Sequence, residues 1–210
     1  MENPVAALIL NLLIVILEII GAFYSFRKDR GKAFSWFTID SNLLLLFSSL
    51  LASVYGVLYF AGCGDIPSFV GLFQYMSLAT ILLTFVVVLF FLAPKEAGKK
   101  GPRGFFSLFL DKGMLYHHLL CPVLGIIDFL LFERGEKIPF SFAFYSLIPT
   151  LLYGIVLSVL NQKGIVDGPY PFLRTRKIGL GKTVLSFVPL LAFSFLLSLS
   201  LYYLKNLTLQ

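Results

Sequence analysis

Six long apolar runs, separated by short polar stretches, dominate the pattern of this 210-residue chain. They cover Val5–Phe26, Thr38–Phe60, Phe69–Ala93, Met114–Phe132, Phe140–Leu160 and Leu180–Leu204. Each is close to the roughly 20 apolar residues that a helix needs to cross a bilayer core of about 30 Å. Apolar positions run continuously instead of alternating, which fits helices and not the strands of a membrane barrel. The pattern therefore predicts an all-α, polytopic integral membrane protein: one domain over residues 1–210, with six transmembrane helices. The polar stretches are Arg27–Phe37, Ala61–Ser68, Pro94–Gly113, Glu133–Pro139 and Asn161–Gly179. Within the third, Gly104–Leu110 reads as an interfacial segment. Pro122, Pro149 and Pro189 mark candidate kinks.

Composition agrees and excludes other classes. The chain is 58% hydrophobic and 13% charged, whereas globular domains average about 45–50% and 25%. Disorder requires the opposite balance. The net charge of +6 resembles a nucleic-acid footprint until its distribution is considered. The first loop carries Arg27, Lys28, Arg30 and Lys32; the third carries Lys95, Lys99, Lys100, Arg103 and Lys112; the fifth carries Lys163, Arg174, Arg176 and Lys177. The second loop has no Lys or Arg, and in the fourth Arg134 and Lys137 are offset by Glu133 and Glu136. Cytoplasmic loops retain basic residues, so the odd loops are expected in the cytoplasm and both termini outside, in a multi-pass protein of the cell membrane. No nucleic-acid partner is expected. The N-terminal run lacks a basic leader and carries Glu18, so it is not read as a cleaved signal peptide.

Several chemistries have no support. Cys63 is expected in a loop and Cys121 in a span, which argues against a disulfide between them. Thiol-rich metal sites, paired-histidine zinc motifs and dinucleotide fingerprints are absent, and no metal or cofactor is expected. Gly181-Lys182-Thr183 mimics the end of a phosphate-binding loop, but Arg176 stands where that loop needs glycine. Asn206-Leu207-Thr208 fits a glycosylation sequon close to a membrane end.

The informative residues are the polar ones inside the spans, where ionisable groups are costly and usually functional. Thr38, Ser41 and Asn42 share one face at the start of the second span, with Asp40 pointing elsewhere. Capping by Thr38 or Asp40 would be a structural explanation, with Ser41 and Asn42 bonding to neighbouring helices. Tyr116-His117-His118 opens the fourth span and holds the chain's two histidines. Adjacent side chains diverge by about 100°, so one imidazole is expected to face the bundle interior. Asp128 lies about 15 Å further along that helix and is expected to pair towards the other side. Glu18, roughly 13 Å inside from Arg27, fits a buried protonated carboxyl. The second, fourth and sixth spans start at one face, so Thr38 and His118 share a depth. The turn Gly168-Pro169-Tyr170-Pro171-Phe172 could roof a cavity there.

Phe37-Thr38-x-x-Ser41-Asn42-Leu43-Leu44, His118 with Pro122 and Asp128 following, and Tyr170-Pro171-Phe172-Leu173 resemble a family of bacterial six-helix membrane proteins. That family is distantly similar to the eukaryotic androgen-induced and androgen-dependent TFPI-regulating proteins, threonine hydrolases of fatty-acid esters of hydroxy fatty acids. The resemblance implies Thr38 as nucleophile. It implies His118 as base by the spacing to Asp128, with His117 as the alternative.

The expected activity is intramembrane hydrolysis of a lipid or fatty-acid ester. Thr38 would attack the ester carbonyl and His118 would relay the proton. Asn42 would donate to the oxyanion, with Ser41 as fallback nucleophile and Asp40 and His117 in support. Tyr170 and Phe172 would line the substrate site, and Arg174 and Arg176 would hold a substrate carboxylate. The alternative is a transporter or lipid-binding protein without catalysis, which would show broken helices, inverted repeats and a midplane site.

Overall fold

The computed structural model describes residues 3–133 and 137–208. Among them, six helical segments are long and apolar enough to cross a membrane, and no strand occurs. The fold is thus all-α and polytopic. Helix α1 (Pro4–Asp29) leads through a 3-10 turn (Arg30–Ser35) into α2 (Phe37–Phe60). Helix α3 (Ser68–Val87) passes through a π-helical turn (Val88–Leu92) into α4 (Ala93–Lys100). Then come α5 (Pro102–Leu110), α6 (Gly113–Leu115), a second π-helical turn (Tyr116–Leu120) and α7 (Cys121–Leu131). Helices α8 (Ser141–Tyr145) and α9 (Leu147–Gln162) make the fifth span, and α10 (Thr175–Ile178) precedes α11 (Leu180–Thr208).

Prolines explain most departures from regular helix. Each π-helical turn ends two residues before a proline, Pro94 and Pro122. A proline has no N–H to return to the preceding turn, and the widened turn accommodates the loss. Pro149 excludes a regular bond to the Tyr145 carbonyl, and the chain breaks at Ser146 between α8 and α9. Helix α11 runs through Pro189 unbroken, so the kink expected there does not divide it. The third polar stretch is mostly helical instead of a loop: α4 begins at Ala93-Pro94 directly after the widened turn, and Pro102 opens α5, where its missing N–H costs nothing.

Burial follows polarity in reverse. On α1 the buried positions are Asn11, Ile14, Glu18, Gly21 and Ser25, a seam of period 3.5 through an otherwise apolar helix. Ile9, Ile16 and Phe23 are exposed, as lipid-facing side chains are. On α11, Ser194, Ser198, Leu201 and Lys205 are buried while Leu185, Val188 and Leu196 face outward. Lipid supplies no hydrophobic drive between helices, so small and polar residues make the contacts. Ser48 of α2 meets Ser77 of α3 at 2.7 Å. Gly125 of α7 lies against Leu78, where a Cβ would come within 2.9 Å. Helix α3 is the most enclosed. Its fully buried Tyr75 donates to the Ser198 carbonyl at 2.7 Å and packs on Phe129 and Phe142.

Candidate functional site

The site at the basic-loop end is assembled by the first turns of α2, the second π-helical turn and α1. Trp36 occupies the cap position of α2 and no side chain caps this helix; neither Thr38 nor Asp40 serves as the cap. Thr38 is half-buried, and among the described residues its hydroxyl has no hydrogen-bond partner. One turn on, the Asn42 amide donates to the Thr38 carbonyl at 2.7 Å and to the His117 carbonyl at 3.4 Å. That second bond follows from the proline. The Cys121 N–H reaches back to the Tyr116 carbonyl, Pro122 has no N–H to offer, and Asn42 satisfies the freed His117 carbonyl from the neighbouring helix. The first turn of α2 is thereby tied to the histidine-bearing turn.

This geometry corrects two expectations. Both Asn42 N–H groups are committed to carbonyls, so the amide is not a free oxyanion donor; its Oδ1 is buried without a hydrogen-bond partner. The Ser41 hydroxyl is fully buried, bonded to the Thr38 carbonyl at 3.0 Å and 3.1 Å from Thr84 Oγ1. It fastens α2 to α3 and is not placed as a nucleophile.

Both histidines are buried, His117 at 1% and His118 at 5% exposure, whereas helical spacing predicts only one facing inward. The reason is that each meets a different neighbour. His118 Nδ1 lies 2.7 Å from the Leu108 carbonyl of α5. A carbonyl only accepts, so Nδ1 carries the hydrogen and Nε2 of the neutral ring is a bare lone pair. That Nε2 is buried and has no hydrogen-bond partner. His117 turns to α1. Its Nε2 lies 3.0 Å from Ser25 Oγ, and its Nδ1 lies 3.2 Å from Glu18 Oε2, off the line of an aligned hydrogen bond. Glu18 therefore has an imidazole partner within the bundle, with the Cys121 thiol beside it. Sequence reading left both Glu18 and Ser25 unassigned to a site.

On the other side of α2, Asp40 is within electrostatic reach of Tyr153 and Tyr170. Tyr170 packs edge-on against Trp36 and Tyr153, and Phe172 packs on Tyr170. The aromatic turn thus covers the start of α2 on its Asp40 side. Burial pushes the Tyr170 phenol up to about 12, so it stays protonated. Arg174 is half-buried and its Nε donates to the Gly168 carbonyl at 3.2 Å, which shapes the turn itself. Arg176 is exposed, and its backbone N–H is held by Asn161 at 3.0 Å.

A second polar cluster lies at the opposite end. Asn11 donates to Asp128 at 2.6 Å, the pairing expected of that carboxyl away from the histidines. Gln74 bonds both Asn11 and Glu133, and Lys205 donates to the carbonyls of Phe129 and Glu133 at 2.5 and 3.2 Å. The cavity between these groups is about 10 Å³, room for about one water. Cys63 and Cys121 are both free, one exposed and one buried. Among the described residues no group of three or more metal-binding side chains occurs. No family model, curated protein or solved structure matches this chain.

Proposed function

We propose that the protein is an intramembrane lipid-ester hydrolase in which Thr38 is the nucleophile and His118 the base. The observation that carries this reading is the His118 ring: Nδ1 anchored on the Leu108 carbonyl, and Nε2 a buried, unpaired lone pair on the turn that Asn42 ties to Thr38. A threonine hydroxyl is hardly ionised at neutral pH, so it needs such a base. Thr38 Oγ attacks the ester carbonyl as its proton passes to His118 Nε2. The proton then goes to the leaving alcohol, and an acyl-threonine remains. Water, activated by the same nitrogen, releases the fatty acid and restores the hydroxyl.

The substrate is a fatty-acid ester drawn laterally from the leaflet beside the basic loops, which are cytoplasmic, with both termini outside. Tyr170 and Phe172 roof the start of α2, and the exposed Arg176 is suited to a substrate carboxylate. The competing reading, a transporter or lipid-binding protein without catalysis, would draw on the polar cavity at the other end, whose volume is about 10 Å³, room for about one water.

Purified Thr38→Ala and His118→Ala proteins, checked for folding by thermal melting, are expected to lose about 100-fold or more of the esterase activity. Full retention in either overturns the mechanism.

A further inference from the structure

Three residues outside the Thr38–His118 pair form an arrangement with its own chemistry. Glu18, Gly21 and Ser25 follow one another on the buried seam of α1, and the Nδ1–Cε1–Nε2 edge of His117 lies along it. Gly21 makes this possible, because a Cβ there would stand 2.8 Å from His117 Cε1. With the ring edge against bare backbone, Nε2 makes a hydrogen bond with Ser25 Oγ at 3.0 Å, and Nδ1 lies 3.2 Å from Glu18 Oε2, close enough for an ion pair though not aligned for a hydrogen bond. An acid on one imidazole nitrogen and a hydroxyl on the other is the functional order of an activated serine. All three residues are buried, Glu18 and His117 at 1% and Ser25 at 7% exposure. A Cβ at Gly113 would stand 3.3 Å from Ser25 Oγ, so the glycine there lets the facing turn pack closely on the hydroxyl. Exposed Arg27 and Lys28 occupy the next turn of α1.

We propose that Ser25 is a second nucleophile, activated by His117 and positioned by Glu18, that accepts the acyl group of esters carried by anionic lipids. The Oγ–C bond forms as the Ser25 proton moves to His117 Nε2. The ester C–O bond then breaks and the leaving alcohol takes that proton, giving acyl-Ser25. Water attacks the acyl carbon, its proton passes through Nε2 to the departing Ser25 Oγ, and the carboxylic acid leaves. Glu18, 3.2 Å from Nδ1, favours the imidazole tautomer with its hydrogen on that nitrogen. This centre shares no side chain with Thr38 and His118, and either can act without the other.

The test is covalent labelling of the full chain in detergent with a long-chain alkyl fluorophosphonate, with the modified residue located by peptide mass spectrometry. An adduct on Ser25 is expected, absent in Ser25→Ala. In His117→Gln its rate falls by about 100-fold, the usual weight of a general base. In Glu18→Gln the maximal labelling rate falls at least about tenfold while the half-saturating probe concentration stays unchanged, and Glu18→Asp recovers part of the rate. A merely structural Glu18 would lower the melting temperature without that split. An adduct on Thr38 alone, or none on either residue in protein with a cooperative melt, overturns this proposal. The first of those results leaves the threonine reading standing and the second removes both. A Ser25 adduct whose rate is the same in folded His117→Gln overturns the relay.

Discussion

Gly21→Ala tests the close contact between α1 and the histidine turn. The added Cβ would lie 2.8 Å from His117 Cε1 and 2.9 Å from Tyr116 Cβ, against a carbon–carbon contact distance of about 3.5 Å or more. The ring could swing away, but Tyr116 Cβ is fixed to the backbone, so the turn must retreat from α1 by about 0.6 Å. Overpacking of this kind costs about 1–3 kcal/mol. Alanine's better helix propensity returns about 1 kcal/mol, which leaves a net loss of up to about 2 kcal/mol. For a chain of this size that is a fall in melting temperature of up to roughly 8 °C. The single tryptophan, Trp36, heads α2 and reports the melt by fluorescence in detergent. Gly71→Ala is the control: nothing lies within 4 Å of the Cβ it adds, so it should melt at or slightly above the wild type. A Gly21→Ala protein as stable as the Gly71→Ala control would refute the close-packing argument.

Other expectations follow from the same contacts. Tyr75→Phe removes the donor to the Ser198 carbonyl at a cost of about 1 kcal/mol; an unchanged melting temperature would show that this bond is idle. Burial raises the Glu133 carboxyl to about 7, against the pull of Lys205. The unfolded chain therefore loses this proton first, and the stability it contributes is lost as pH rises from about 4.5 to 7. Glu133→Gln should flatten that part of the melting-temperature profile, and an unaltered slope would contradict it. Cys63 is exposed and Cys121 buried, so a membrane-impermeant maleimide added to intact cells should label only Cys63. Labelling that requires permeabilised cells would invert the proposed orientation.

The six spans were legible in the sequence because lipid imposes continuous apolar length, and the helices overrun the apolar runs where polar residues continue them, to Asp29, Lys100 and Thr208. The third polar stretch misled because its charges suggest a loop, whereas Pro94 and Pro102 start helices there. Thr38, Asn42 and the histidines stood out as polar residues in apolar surroundings. Their partners did not, because Asn42 and His118 bond to backbone carbonyls, which carry no sequence signal. Glu18 and His117 lie 99 positions apart, and nothing in either run says that α1 packs on the fourth span. A signal was nevertheless present: Asn11, Glu18 and Ser25 recur every seven residues on α1, with Ile14 and Gly21 between them. In a membrane helix such a seam of polar and small residues marks the packed face, the reverse of a soluble amphipathic helix.

The link between Pro122 and Asn42 also bears on the order of assembly. Spans that enter the bilayer as separate helices meet afterwards, and the fourth span arriving alone carries, in the turn before α7, the His117 carbonyl that its own backbone leaves open. Until α2 docks, only water at the membrane edge can serve that oxygen. Recruiting Asn42 closes it and brings Thr38 to the histidine turn in the same event. Pro122→Ala would restore an N–H at that position and loosen the coupling, so that early pairing of these two segments would no longer be favoured over other encounters in the bilayer.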